Sequence, residues 1–290
     1  MTKPNGQYWA ERISTQQQIM GDKTLTDINR RLVQYYRAAA ADIERDILRL
    51  FDKLTDESID GIIRPNDLYK YGRYYDLQRE IYKRLQELGE QEIAMQTAKY
   101  KELYDWINEN MPSAIPDNAA RPVWTAYNPV QAEQIINSVW CSDGLYWSDR
   151  VWNNKMALQQ RIEKGLVDCV VRGAKKSELV KQLQKDFGVG YNAAERIART
   201  ELTHVQNEAA AEIYTRAGTT HYQFVNTLDG RTCPACRGLN GKTFAFADKK
   251  PGVNFPPVHP NCRGRIVAVI TLKNGEEIVP VVRGPGKKKT

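Results

Sequence analysis

Three of the five cysteines and one of the three histidines fall between positions 233 and 262, in "TCPACRGLNGKTFAF" and "HPNCRGR". Cys233 and Cys236 are two residues apart, as are His259 and Cys262, and 22 residues separate the two pairs. Each pair fits within a tight turn, so the chain can present four soft donors to one tetrahedral ion. Zn²⁺ accepts thiolate and imidazole readily, and a Cys₃His set forms a closed structural site. With all four positions filled by protein, no position remains for an activated water, which argues against metal-assisted hydrolysis. The strands flanking the pairs are expected to align as hairpin-like arms. The alternative is that these are unrelated core and surface thiols. An end of some 60 residues buries a poor share of its surface, whereas structural zinc contributes roughly 10–16 kcal/mol in finger peptides. The ion expected here is therefore structural Zn²⁺.

Upstream the chain reads as helix. Ile28, Leu32, Tyr35, Ala39, Ile43, Ile47 and Leu50 recur in steps of three and four, which marks one face of a long helix. Asp60-Gly61 and Pro65 break that pattern, and a second helix carries Leu68, Tyr71, Tyr75, Tyr82 and Leu85. Its tyrosines, at helical spacing, are read as core rather than as a partner groove. "MPSAIPDNAARP" is an irregular, proline-rich connector and marks a boundary. Asn128-Pro129 caps the next helix, and helices are expected over about 129–139, 148–172, 176–187 and 192–217. Asn192 and Glu195 resemble a capping box opening the last of these, and Gly218 closes it. Its core face is Ala194, Ala198, Leu202, Val205, Ala209 and Ile213. After Gly218 the segments turn short and β-rich.

The expected fold is mainly α: an elongated helical body followed by a small β-rich, zinc-binding C-terminal module. Four regions follow in order: an N-terminal helical region over 1–112, a second over 113–218, the module over 219–275 and a basic tail over 276–290. Charge follows the same division. Residues 1–112 hold 17 basic and 19 acidic side chains, while residues 229–290 hold 12 and 4. That excess suits an anionic partner, nucleic acid first, contacted non-specifically. Arg263, Arg265, Lys287, Lys288 and Lys289 are the expected contacts, although "GPGKKKT" also reads as a solvated tail. No apolar run reaches the ~20 residues that span a bilayer, so no membrane partner is expected. The opening residues lack the apolar stretch of a secretory signal, which suggests a cytoplasmic setting, where clustered thiols favour a metal over disulfides.

Three further motifs carry little chemistry. "GLNGKT" lacks the upstream glycine of a phosphate loop, and Asn240-Gly241 is read as a hairpin turn. Glu201 and His204, with Glu208 one turn on, form a Glu-x-x-His pair without the matching pair from another helix that a carboxylate-bridged metal site needs. A solvated or inter-helix polar face is the better reading. Cys141 and Cys169 read as buried small hydrophobes. His204 and His221 are the histidines outside the cluster, no nucleophile elbow is present, and no enzyme is expected.

Asp229, Arg231, Thr232, Cys233, Cys236, Gly241, Lys242, Phe244, Pro256, Pro257, His259, Pro260, Cys262 and Arg263 together resemble the signature of the phage minor head, or head-morphogenesis, proteins called Mu F-like. "RIARTE" (196–201) is similar to the helical segment preceding that signature, and "YWAERI" near the start resembles the family's opening. The recognisable part runs from about Trp147 to Val267. Family members frequently carry another cysteine after the Cys-Arg pair, where this chain has Gly264. The resemblance implies a virion protein inside the head, and in the host cytoplasm during assembly. It also implies a few copies per virion, placement near the portal and inner capsid or scaffold, and a role in assembly, DNA packaging or delivery, with no reaction. A metal-dependent nuclease and a zinc-ribbon DNA-binding regulator are the alternatives. The first needs His204 or His221 in a separate metal site. The second lacks a basic recognition helix.

Overall fold

The computed structural model describes residues 6–58, 63–112, 129–271, 275 and 277–278. The helices are α1 (Gly6–Asp56), α2 (Pro65–Tyr69), α3 (Arg73–Asn110), α4 (Pro129–Ile136), α5 (Trp147–Val171) and α6 (Lys176–Arg216). Strand β1 (His221–Val225), helix α7 (Pro234–Leu239), β2 (Thr243–Ala245), β3 (Arg265–Thr271) and β4 (Glu277–Ile278) follow. A mainly helical body thus carries a small antiparallel sheet at its C-terminal end, in the strand order β2-β1-β3-β4. The chain forms two compact units, and α1, α3 and α6 each contribute to both.

One unit comprises residues 28–96 and 148–196. The stripe of α1 buries Ile28, Leu32, Ile43 and Ile47 as the periodicity requires, but Tyr36 and Phe51 are buried where Tyr35 and Leu50 were expected. The second expected helix is interrupted. Tyr71 and Gly72 both adopt left-handed backbone, with φ of 58° and 71°, separating α2 from α3. That break rotates the tyrosines off the core face. Tyr74 is buried, while Tyr71, Tyr75 and Tyr82 are 74%, 63% and 57% exposed, which corrects their reading as core.

The two helices expected over 176–187 and 192–217 are one, α6. Asn192 and Glu195 lie inside it, so no capping box forms, and Glu195 instead accepts a hydrogen bond from Asn29 at 3.1 Å. Gly188 and Gly190 do not end the helix. At Gly190 a Cβ would lie 3.1 Å from Leu158 and 3.3 Å from the Tyr36 ring, so glycine there permits close helix packing. At the centre of this unit Lys155 meets Glu92 at 2.5 Å, both almost wholly buried. Glu92 also accepts from Tyr36 at 3.2 Å and from Gln96 at 3.1 Å, while Asn154 donates to Tyr36 at 3.0 Å. A buried ion pair this well supplied with hydrogen bonds offsets much of its desolvation cost.

The other unit comprises residues 1–27, 97–147 and 197–290. Its part of α6 buries Ala198, Leu202, Val205, Ala209 and Ile213, the expected face, and the helix stops just before Gly218 (φ 79°). Strand β1 pairs with β2 and β3, and Tyr222 and Phe224 are fully buried within the sheet. The connector at 113–128, Asn128, Asp60-Gly61 and the tail lysines Lys287, Lys288 and Lys289 lie outside the described residues.

Candidate metal centre

The sequence Cys-Pro-x-Cys builds the first half of the site. Pro234 stands at the first position of α7, where its missing N–H costs nothing. Cys233 caps that helix, its Sγ accepting the Cys236 N–H at 3.3 Å. The second half is the turn from Val258 to Gly264, in which Asn261 takes left-handed backbone (φ 63°). Helix α6 fixes this turn through a row of small polar side chains. Thr200 accepts the Asn261 N–H at 3.0 Å, Thr203 donates to the Cys262 carbonyl at 2.9 Å, and Asn207 donates to the Gly264 carbonyl at 3.1 Å. The Ile266 N–H returns to Asn207 Oδ1 at 2.9 Å. The ligand pairs sit on a short helix and a turn; the strands flanking the first pair, β1 and β2, align antiparallel as expected, whereas those flanking the second, β2 and β3, each pair with β1. Asn240-Gly241 joins α7 to β2 and is no two-residue hairpin.

The donor atoms converge. Those of Cys233, Cys236 and His259 all lie within 4.8 Å of one another, a group that could hold a metal ion. His259 Nε2 is 3.1 Å from each of the two sulfurs. Cys262, wholly buried, stands beside them with its Sγ 3.8 Å from that of Cys236. With Zn–S bonds of about 2.3 Å, a tetrahedral site has an S–S edge of roughly 3.8 Å, so this pair needs no rearrangement. The corresponding N–S edge is about 3.5 Å, which asks the imidazole to draw back by a few tenths of an ångström.

The surroundings fit a bound cation. His259 Nδ1 lies 2.7 Å from the Pro260 carbonyl, so it carries the proton and leaves Nε2 as the free lone pair facing the thiols. The Gly264 N–H donates to Cys262 Sγ at 3.4 Å. The Cys236 N–H holds the Cys233 thiol below its usual range, against the effect of burial. Cys262 is lowered to about 6, first through the hydrogen bond from Cys236, while Cys236 is pushed up by the same contact and by burial. Burial disfavours the His259 imidazolium, but the Pro260 carbonyl and the neighbouring Cys262 and Cys233 leave its pKa raised.

A second set of contacts braces the site. Asp229 receives both terminal nitrogens of Arg263, at 2.6 and 2.8 Å, together with the Arg231 N–H at 2.8 Å. The Arg263 guanidinium thereby holds the Asp229 carboxyl well below the ordinary carboxylate range. Arg263 is thus committed to a brace, and Arg265 is half-buried along the wall of a cavity. Neither presents the fully solvated guanidinium expected from the charge pattern. Arg231, Lys242 and Lys250 are the residues whose cationic side chains are exposed nearby.

His204 and Glu201 are buried. Glu201 accepts from Trp140 at 2.8 Å, and Ser138 and the stacked Trp140 ring meet His204. Glu208 pairs with Lys249 at 2.6 Å. This is a polar face, as expected, lying against the end of α4, the segment that follows it and Lys249. Cys169 is buried as expected, whereas Cys141 is half-exposed. Among the described residues, His204 and His221 enter no metal-ligating group.

A mainly helical body thus carries, beside its small terminal sheet, a Cys/Cys/His cluster that could hold a metal ion. Residues 160–267 are similar to the family described as Phage Mu protein F like protein. The match covers α6, the sheet through Val267 and every candidate ligand. No curated protein and no solved structure matches the chain. Gly264 has a local reason in this fold. A Cβ there would lie 2.6 Å from the Phe224 ring and 3.1 Å from Pro256. No helix among the described residues is long and apolar enough to cross a membrane.

Proposed function

We propose that the protein is a phage head-morphogenesis component with a structural role in the virion. In this reading it is carried in the head, meets the portal and inner capsid or scaffold during assembly in the host cytoplasm, and touches genomic DNA without reading its sequence. The observation that carries the reading is the similarity to the Mu F-like family over 160–267, with the Cys/Cys/His cluster intact. The site is assigned to Zn²⁺ held by Cys233, Cys236, His259 and Cys262. The donor chemistry supports this, since three thiols and one imidazole of fixed tautomer are a zinc set. The ion would supply a cross-link between α7 and the 258–264 turn. The chain's own residues then hold the ligands in place: α6 through Thr200, Thr203 and Asn207, and the loop through Asp229 and Arg263.

Exposed Arg231, Lys242 and Lys250 support the DNA contact, since phosphate neutralisation needs charge and no base readout. The reading is tested by co-expression with the cognate portal protein followed by size-exclusion chromatography, and by protein analysis of purified heads. Co-elution through moderate salt and presence in the heads are expected. Absence from the heads would overturn the reading.

A further inference from the structure

The unit that carries the sheet contains a cavity of about 210 Å³ that the metal centre does not account for. Arg199, Arg231, Arg263 and Arg265 line it, against the carboxylates of Asp22 and Asp229. Arg263 is neutralised by Asp229, and apart from Arg199, which has contacts of its own, Arg231 and Arg265 share the space with one further carboxylate, Asp22.

Arg265 is the unusual member. It opens β3 in register with Val225, so the ladder fixes where its side chain departs from the sheet. Its Nε is buried without a hydrogen-bond partner, and among the described residues no carboxylate lies within ion-pair distance of it. Asp229 is unavailable, since both of its oxygens are taken by Arg263. Burial outweighs the distant attraction of Asp22 and pulls the Arg265 pKa down to about 10. A guanidinium nitrogen buried without an acceptor is costly, and on a half-buried arginine beside a cavity it suits an incoming anion.

We propose that this cavity binds a phosphate group, with Arg265 as the deep contact and Arg231, whose side chain is 82% exposed, at the mouth. A water takes about 30 Å³ of liquid volume, so the space holds a tetrahedral oxyanion together with some of its waters. Guanidiniums converging from a loop and a strand suit an anion with oxygens in several directions, and the planar fork of arginine matches phosphate. Two sources offer this chemistry: free inorganic phosphate, and the phosphates of nucleic acid. The second rests on the proposed function.

The test is isothermal titration of the full chain with inorganic phosphate at constant ionic strength. One phosphate per chain is expected. Arg265→Gln should weaken binding by about tenfold or more, as expected for loss of a charged hydrogen-bond donor. Asp22→Asn should tighten it by removing a repelling charge, and Lys83→Gln, in the helical unit, should leave it unchanged. If Arg265→Gln fails to fold by far-UV circular dichroism, the opposite shifts of Arg231→Gln (weaker) and Asp22→Asn (tighter) decide. No binding, or equal binding by the parent and these variants, overturns the proposal. Displacement of the phosphate by a single-stranded oligonucleotide would assign the site to nucleic acid. Phosphate binding that an oligonucleotide cannot displace supports the cavity and overturns that source. Presence in heads is read separately, so failure of the cavity leaves the proposed function standing, and the converse also holds.

Discussion

The Lys155–Glu92 centre of the helical unit and the cysteine cluster of the sheet unit handle buried polar groups in opposite ways. Around Glu92, protein supplies every partner: an ammonium, a phenol and an amide converge on one carboxylate. Around Cys236, the partners are other ligands. The His259 nitrogen lies 3.1 Å and the Cys262 sulfur 3.8 Å from its Sγ, with backbone N–H groups stabilising Cys233 and Cys262 from outside. The first arrangement is complete as it stands. The second leaves donors aimed at a common centre, as expected if a cation completes it. The two regions should therefore respond differently to chelation, acid and substitution.

The largest difference should come from removing a ligand. Cys233→Ser, or exhaustive chelation of the parent, should expose the region after Gly218 to protease while the helices retain their far-UV signal. Structural zinc is worth roughly 10–16 kcal/mol in isolated finger peptides, far above any single contact in the helical unit. Cys262→Ser should act in the same direction, and equal behaviour of the two variants would establish the fourth ligand. The counterpart in the helical unit is Glu92→Ala, which strands a buried ammonium and should cost about 3–5 kcal/mol by denaturant unfolding. It should leave metal content unchanged.

Gly264→Ala comes next. Its Cβ would press on the buried Phe224 ring, and overpacking of this kind costs about 1–3 kcal/mol. Acid should separate the regions again. Cys262 has its pKa lowered to about 6, so its contribution is present above the unfolded thiol range and is lost as pH falls through that value. His259 is shifted upward, and its imidazolium cannot bind a metal, so protons begin to compete before that point. Metal release between neutrality and about pH 5 is expected, measured with a chromogenic chelator. The smallest effect belongs to Asp229→Asn, read as a slight fall in melting temperature. Because Arg263 depresses that carboxyl, the gap from the parent should persist down through the ordinary carboxylate range and close only below it.

Much of this was legible in the sequence because the signals were local. Cys233, Cys236, His259 and Cys262 stood out by spacing, and the α6 core face by its steps of three and four. Other features depended on distant residues. The tyrosines at 71, 75 and 82 keep a helical spacing, but left-handed backbone at Tyr71 and Gly72 turns them outward. Asn192 and Glu195 read as a helix start, although one long helix runs through them, with Gly190 packed tightly against Leu158 and Tyr36. Thr200, Thr203 and Asn207 fix the second ligand turn by hydrogen bonds across some 60 residues of chain, and nothing in their own segment announces it. Arg263 and Arg265 were marked by charge alone, and charge does not distinguish a brace from a cavity wall.

The central claim is that a metal ion ties α7 to the 258–264 turn. The most direct measurement is metal analysis by inductively coupled plasma mass spectrometry on the purified chain and its Cys233→Ser variant. One zinc per parent chain, lost in the variant along with protease resistance after Gly218, is the predicted result. A parent chain free of metal, with that region folded and resistant, would contradict it.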